Sequence, residues 1–459
     1  MRKLQDRQTA MAFQPMDPKI TRNLRQMDEI LKTNSDPLRW VAAGLTGDAN
    51  PHNGRPGMTA EQVLRVAVVK QLYDWSYPVL YERLNDSIAL REFAGYEFQP
   101  VPKPSTLQEN VKKLSPNALL AVHRAVVLHA CAEGVESSDR LRTDSMAVET
   151  NIHHPTDRSL LEDSVRVITR ILARAAKEFP GARLVFRTRT RVTKKRAFAI
   201  AYSKKPVEQE ALYRELLRYA EEVLGYARAG VTRLAGLSGT AEERQVARIV
   251  AAELGRHADL LERILSQTRR RVIEKESVPA AEKVVSIFEE HTDIIEKGGR
   301  ETVFGHKLCL NLGKRLVLDC LMERGNPADT ALYPDALDRH IGFFDAPPTA
   351  VATDGGFASA KNAIYAREQG VQEVVFPKRI RGLAEDLFPS AWVRRQWLRF
   401  RAGCEGILSA LKRGVGLGRC LWRGWESFQS YVWASILAYN LKTLARALLE
   451  REKPAAARA

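Results

Sequence analysis

The chain has 459 residues, enough for about three packing units, and its 45% hydrophobic and 27% charged residues exclude wholesale disorder and a collagen-like repeat. Lysine and arginine total 71 against 55 acids, a net charge of +16 that favours a polyanionic partner, nucleic acid first. The longest uncharged run, Ser427 to Leu441, has 15 residues and holds serine, glutamine, tyrosine and asparagine, so no membrane span is expected. The N-terminus lacks the apolar stretch of a secretory leader. Five cysteines without a Cys-x-x-Cys pair argue against a disulfide framework or a zinc knuckle and suit a reducing cytoplasm.

From Met58 to Gly134 the pattern predicts five short helices. Thr59 with Gln62 reads as a capping box opening Val63–Trp75. Pro78 suits the first turn of the next helix, which has Val79, Leu80 and Leu84 on one face. Asp86 or Ser87 can cap a third, ended by Gly95. Pro100, Pro102 and Pro104 predict an extended connector. Ser105 with Gln108 reads as a second capping box opening Leu107–Leu114, and Pro116 starts a longer helix to Gly134. Such a set can house a helix-turn-helix DNA reader or be a plain bundle.

Alternation at Met146, Val148, Thr150 and Ile152 predicts a strand within Leu141–Ile152. Leu160–Phe179, Val207–Ala227 and Ala241–Gln267 then carry helical apolar periods with charged outer faces. Between them, residues 183–205 hold nine bases, no acid, and interleaved Phe186, Phe198 and Tyr202, which suits either a nucleic-acid backbone or a solvated linker. Thr302–Asn311 and Arg315–Met322 flank a Leu312-Gly313-Lys314 turn and predict a hairpin. A helix at about Asp335–Phe343, a strand Thr349–Thr353, a helix near Ala358–Gln369 and a strand Glu373–Phe376 follow. Helix is expected from Arg394 through Ala410, and Trp425–Leu449 reads as a last amphipathic helix. Without the 155–295 insertion this is a mixed sheet with helices packed on it, an α/β fold.

Two strands end in or carry an aspartate beside small residues: Asp144 in Arg-Thr-Asp-Ser and Asp354 in Thr-Asp-Gly-Gly. A carboxylate at the mouth of a buried strand is poor for packing and good for holding a hard cation. Gly355 and Gly356 would leave room for a substrate backbone. Arg401, Glu405 and Lys412 share one helical stripe by spacing, where Glu405 could hold a metal while the two cations grip phosphates. Taken singly, these residues are equally consistent with a turn, an edge ion pair and a solvated face. Residues 378–423 surround them with eleven bases and three acids. A P-loop, a His-Glu-x-x-His zinc site and a Gly-x-Ser-x-Gly elbow are absent.

Asp144, Asp354 in Ala-Thr-Asp-Gly-Gly-Phe, and Arg-x3-Glu-x6-Lys at 401, 405 and 412 together resemble the bacterial insertion-sequence DDE transposases, most closely the ISNCY group. Residues 80–96, Pro104-Ser-Thr-Leu107, residues 286–292, Phe304-Gly-His-Lys307 and Ala438-Tyr-Asn-Leu441 are similar to family stretches too. The resemblance implies a ribonuclease-H-like fold in which Asp144, Asp354 and Glu405 bind two Mg²⁺ or Mn²⁺ ions. It implies cleavage at double-stranded element ends and joining of 3′ ends to target DNA, by a homodimer or higher oligomer in the bacterial cytoplasm at the nucleoid. The implied parts are a helical DNA-binding domain at 1–137, catalytic core at 138–154 and 296–424, the helical insertion at 155–295, and a C-terminal helix at 425–459. Arg401, Lys412, Arg187, Arg189, Arg191, Lys194, Lys195 and Arg196 are the expected DNA contacts. The chain departs from the pattern at Leu398, where the family has tyrosine, and in the 209 residues separating the two aspartates. A DNA-binding descendant without activity, or a metal nuclease without joining, are the rival readings.

Overall fold

The structure is a computed structural model, and it describes residues 18–47, 57–97, 99–296, 301–377 and 390–452. The chain forms two compact units, residues 1–150 with 306–459, and residues 151–305.

The first unit opens with helices α1 (Pro18–Thr33), α2 (Leu38–Thr46), α3 (Ala60–Tyr73), α4 (Tyr77–Asp86), α5 (Ile88–Ala94), α6 (Pro104–Val111) and α7 (Pro116–Ala132). Local chemistry sets most of their ends. Thr59 and Gln62 form the expected capping box, Ser87 caps α5 by accepting from the Leu90 N–H, and Gly95 ends it in the left-handed region at φ 74°. The box expected at Ser105 does not form. Lys103 is the N-cap and Pro104 takes the first turn, where its missing N–H costs nothing.

Strand β1 (Arg140–Glu149) follows and leads into the second unit. There α8 (Asp157–Glu178), α9 (Thr190–Tyr202), α10 (Pro206–Ala235) and α11 (Ala241–Thr268) bury an aliphatic core that includes Ile168, Leu172, Leu216, Val223, Leu254 and Leu261. The short β2 (Asp293–Ile295) pairs antiparallel with the start of β3 (Val303–Leu312).

The rest of β3 pairs antiparallel with β4 (Val317–Met322), the predicted hairpin. Glu136 secures its turn by accepting from the N–H groups of Lys314, Arg315 and Leu316 at 2.7, 2.7 and 2.9 Å. Gly313 is required there, because a Cβ would stand 2.5 Å from the Glu136 carboxyl carbon. Helix α12 (Asp329–Phe344), β5 (Ala350–Thr353), α13 (Ala360–Glu368), β6 (Glu373–Val375), α14 (Ala391–Ala402), α15 (Cys404–Gly414) and α16 (Trp425–Glu452) complete the chain. In the first unit the strands lie in the order β4-β3-β1-β5-β6, with β1, β5 and β6 mutually parallel. This is a helix-rich mixed α/β arrangement.

Strand alternation gives the sheet two apolar faces. Met146, Val148, Leu308 and Leu310 face the core built by the N-terminal helices and α16, while Leu141, Cys309 and Leu318 face α12 and α13. Helix α16 departs from the amphipathic expectation, being buried on nearly every side from Ser430 to Ala438. That placement explains its uncharged run, and its polar residues are satisfied internally. Ser430 donates to the Leu114 carbonyl at 2.7 Å, and Asn440 pairs with both the N–H and the C=O of Val317, at 3.0 and 2.8 Å. No helix among the described residues is long and apolar enough to cross a membrane.

Candidate active site

Parallel pairing of β1 with β5 places Thr143 opposite Thr353, so the next residues, Asp144 within β1 and Asp354 just past the end of β5, lie side by side. Thr143, the residue before Asp144, is held from behind. Thr143 donates to Asn311 at 2.9 Å, and Asn311 donates to the Ala336 carbonyl at 2.6 Å, tying β1, β3 and α12 together. Arg339 grips Asp319 through two hydrogen bonds of 2.6 and 2.8 Å and fastens α12 to β4.

The two aspartates differ in exposure. The Asp144 side chain is 10% exposed and accepts from the Ser145 N–H at 2.8 Å, whereas that of Asp354 is 49% exposed and accepts from the Gly355 N–H at 2.6 Å. One nitrogen of Arg401, Nη2, lies 3.3 Å from Asp144 Oδ2 and 3.1 Å from Asp354 Oδ1. The two carboxylate oxygens are therefore no farther apart than the sum of those distances. A nearly buried carboxylate beside a second one needs a cation between them, and the guanidinium supplies it.

Arg401 reaches this position because α14 ends just after it. Arg142, buried on β1, donates to the Phe400 carbonyl and to the Lys314 carbonyl (2.9 Å for the latter) and lies over the Phe400 ring at 4.6 Å. A Cβ on Gly403 would collide with the Arg142 guanidinium. The helix predicted as continuous from Arg394 to Ala410 thus breaks at Gly403 into α14 and α15. Cys404, the first residue of α15, is fully buried. Its thiol is pushed up to about 12 by burial first; Arg142 and Arg401 pull the other way, and Asp144 and Asp354 add to the rise. Glu405, the next residue, is exposed, and among the described residues it pairs with no cation. Lys412, in the last turn of α15, is exposed as well.

A third acid, not expected from the sequence, borders the pair. Asp329, in the first turn of α12, accepts from Ser145 Oγ at 3.4 Å and faces Lys307 Nζ at 3.2 Å. Gly356 is the residue that admits it. A Cβ there would stand 2.6 Å from Asp329 Oδ2, while Gly355 has open space instead. The room at Gly356 expected for a substrate is thus taken by the protein's own carboxylate. The sequence signal was a helix start, Asn-Pro-Ala-Asp at 326–329, six residues before the predicted one.

Among the described residues no three histidine, cysteine, aspartate or glutamate side chains stand close enough to hold a metal ion together. The site still suits a hard cation in its donor chemistry. Its paired groups are carboxylate oxygens, and a guanidinium stands between them with its own Nε buried and without a hydrogen bond.

The expected DNA contacts of the basic run divide into two sets. Arg189 pairs with Glu222 at 2.6 Å and Arg196 with Glu215 at 2.6 Å, both on α10, so these two anchor α9. Arg187, Arg191, Lys194 and Lys195 are exposed and pair with no carboxylate among the described residues. The part of the other basic stretch at 378–389 lies outside the described residues.

Residues 12–113 match the family model of the Transposase domain (DUF772), and residues 290–441 match that of the Transposase DDE domain. The chain belongs to the bacterial insertion-sequence transposases. The DDE-domain match takes in Asp354, Arg401, Glu405 and Lys412; Asp144 and helices α8 to α11 lie outside it. No curated protein and no solved structure matches the chain.

Proposed function

We propose that this transposase binds the double-stranded ends of its element, cleaves phosphodiester bonds there and joins the 3′ ends to target DNA, with Asp144, Asp354 and Glu405 as its catalytic acids. The observation that carries the reading is the pairing of Asp144, within β1, and Asp354, just past the end of the adjacent parallel β5, around one cationic nitrogen. The strand order β4-β3-β1-β5-β6 supports a ribonuclease-H-like arrangement, in which chain segments 138–154 and 296–424 make the catalytic core. Residues 1–137 are the DNA-binding domain in this reading, 155–295 the insertion and 425–459 the closing helix.

Asp144, Asp354 and Glu405 would hold two Mg²⁺ or Mn²⁺ ions, which when bound activate the attacking water or 3′-hydroxyl and stabilise the departing oxygen. The protein's own groups supply position and charge. Asp144, nearly buried and fixed through Thr143, gives a rigid carboxylate, and Asp354, half-exposed, faces the side from which DNA arrives. Glu405, exposed at the start of α15, which packs against β1, is the third acid of this reading. Arg401 and Lys412 orient phosphates, and Arg187, Arg191, Lys194 and Lys195 hold the duplex backbone by charge, with Arg189 and Arg196 fixing their helix. Bringing two element ends together requires a homodimer or a larger assembly.

The test is cleavage of a duplex carrying the DNA that borders this coding sequence. Asp144→Asn, Asp354→Asn and Glu405→Gln are each expected to abolish Mg²⁺-dependent nicking while DNA binding and the melting temperature persist. Nicking at the wild-type rate by any one of them removes that residue from the set. Nicking without strand transfer by the unaltered protein would make it a nuclease, and binding without nicking a DNA-binding descendant.

A further inference from the structure

Helix α9 leaves two large aromatic rings in water, Phe198 at 63% and Tyr202 at 71% exposure. Their ring centroids are 4.4 Å apart and their planes are inclined by 38°. The inward side of the helix, Thr193, Ala197 and Ile200, is buried in the second unit, and the Arg189–Glu222 and Arg196–Glu215 pairs fasten it to α10. The outward side is one stripe by helical spacing: Arg191, Lys194, Lys195, Phe198 and Tyr202. Lys204 and Lys205 extend it just beyond the helix end, exposed and paired with no carboxylate among the described residues. No acid occurs anywhere from Arg183 to Lys205.

The two halves of this surface ask for different things of a ligand. Free lysines and arginines suit any phosphate backbone. Exposed ring faces add nothing on an intact duplex, whose bases are stacked on one another, but they offer a stacking partner to a base that has left its pair. A polyanion that also presents flat apolar faces is an unpaired nucleic-acid strand. We propose that the α9 face is a platform for unpaired DNA, with Phe198 and Tyr202 stacking on bases and Arg191, Lys194, Lys195, Lys204 and Lys205 tracking the backbone. The proposal rests on the reading of the chain as DNA-binding and deepens it to the state of the strand.

The full-length protein is titrated with a fluorescent oligothymidine strand and, separately, with a duplex of equal length. Wild type is expected to bind both. The Phe198→Ala/Tyr202→Ala double variant is expected to lose about tenfold or more on the single strand and to keep its duplex affinity within about twofold, with an unchanged melting temperature. Phe198→Tyr/Tyr202→Phe, which keeps both rings, is expected to restore single-strand binding. Lys194→Ala/Lys195→Ala is expected to weaken both ligands and to lower the salt slope. Equal loss on both ligands in the alanine pair, or no loss on the single strand, overturns the platform. Duplex binding with no single-strand binding by the wild type also overturns it and leaves the DNA reading standing. Failure to bind either ligand overturns both.

Discussion

Arg401 contacts two carboxylates through a single nitrogen, and its placement depends on Arg142 and on a glycine that makes room for it. Gly403 must be glycine for Arg142 to reach the carbonyl of Phe400, the residue before Arg401. Gly403→Ala is therefore expected to move the end of α14 and to lower element-end cleavage by about a hundredfold, with DNA binding kept. Cleavage at the wild-type rate would separate Arg401 from this support. Gly356→Ala forces Asp329 away from Ser145, and a drop in cleavage without a change in melting temperature is the expected result. An unchanged cleavage rate would show that Asp329 is a bystander. Asp144 and Asp354 stood out in the sequence because an acid within or just after an apolar strand is unusual. Their convergence with Arg401 was not, since it depends on the β1–β5 register and on the helix break at Gly403. Asp329 was hidden because a first-turn aspartate reads as an ordinary helix start.

At the scale of elements, capping chemistry and strand alternation were the readable signals, and they located α3, α5, α7, β1 and the β3–β4 hairpin. One helix, α9, escaped, and another, α16, was expected in place but misread in its burial. Basic residues dominate α9 so heavily that its narrow inward face of Thr193, Ala197 and Ile200 gives little periodic signal. Helix α16 seemed one-faced because the helices that cover its other side lie far away in sequence. Its junction with the sheet gives a direct test. Asn440→Ala removes two hydrogen bonds to Val317 and leaves a buried N–H without its partner, at a cost of about 1–3 kcal/mol. The denaturation midpoint should fall accordingly, and an unchanged midpoint would mean that α16 docks by apolar packing alone.

For the whole molecule, charge pointed to a polyanion and element order to a mixed sheet, while the way the N-terminal helices and α16 share one core is a matter of long-range contacts that no local pattern records. The fold also sets a pH dependence. His123 and His340 are buried, and desolvation lowers each from the ordinary 6.5 to about 4, against weaker raising contributions from the backbone and Asp319. Both histidines stay neutral in the fold while the unfolded chain takes up protons below pH 6.5. Their contribution is thus neutral above that pH and becomes destabilising as pH falls toward 4, by roughly 3 kcal/mol for each histidine. A melting temperature that declines between pH 6.5 and 4 is expected, and one that holds steady across that window would contradict the buried, neutral histidines. The central claim is that acids distant in sequence serve one centre, and Fe²⁺ put in place of Mg²⁺, with hydrogen peroxide as oxidant and ascorbate to recycle the iron, tests it most directly, because hydroxyl radicals formed at the bound iron cut the nearby backbone. The account predicts cuts beside residues 144, 354 and 405 that excess Mg²⁺ suppresses; cuts confined to other parts of the chain, or none that Mg²⁺ suppresses, would contradict it.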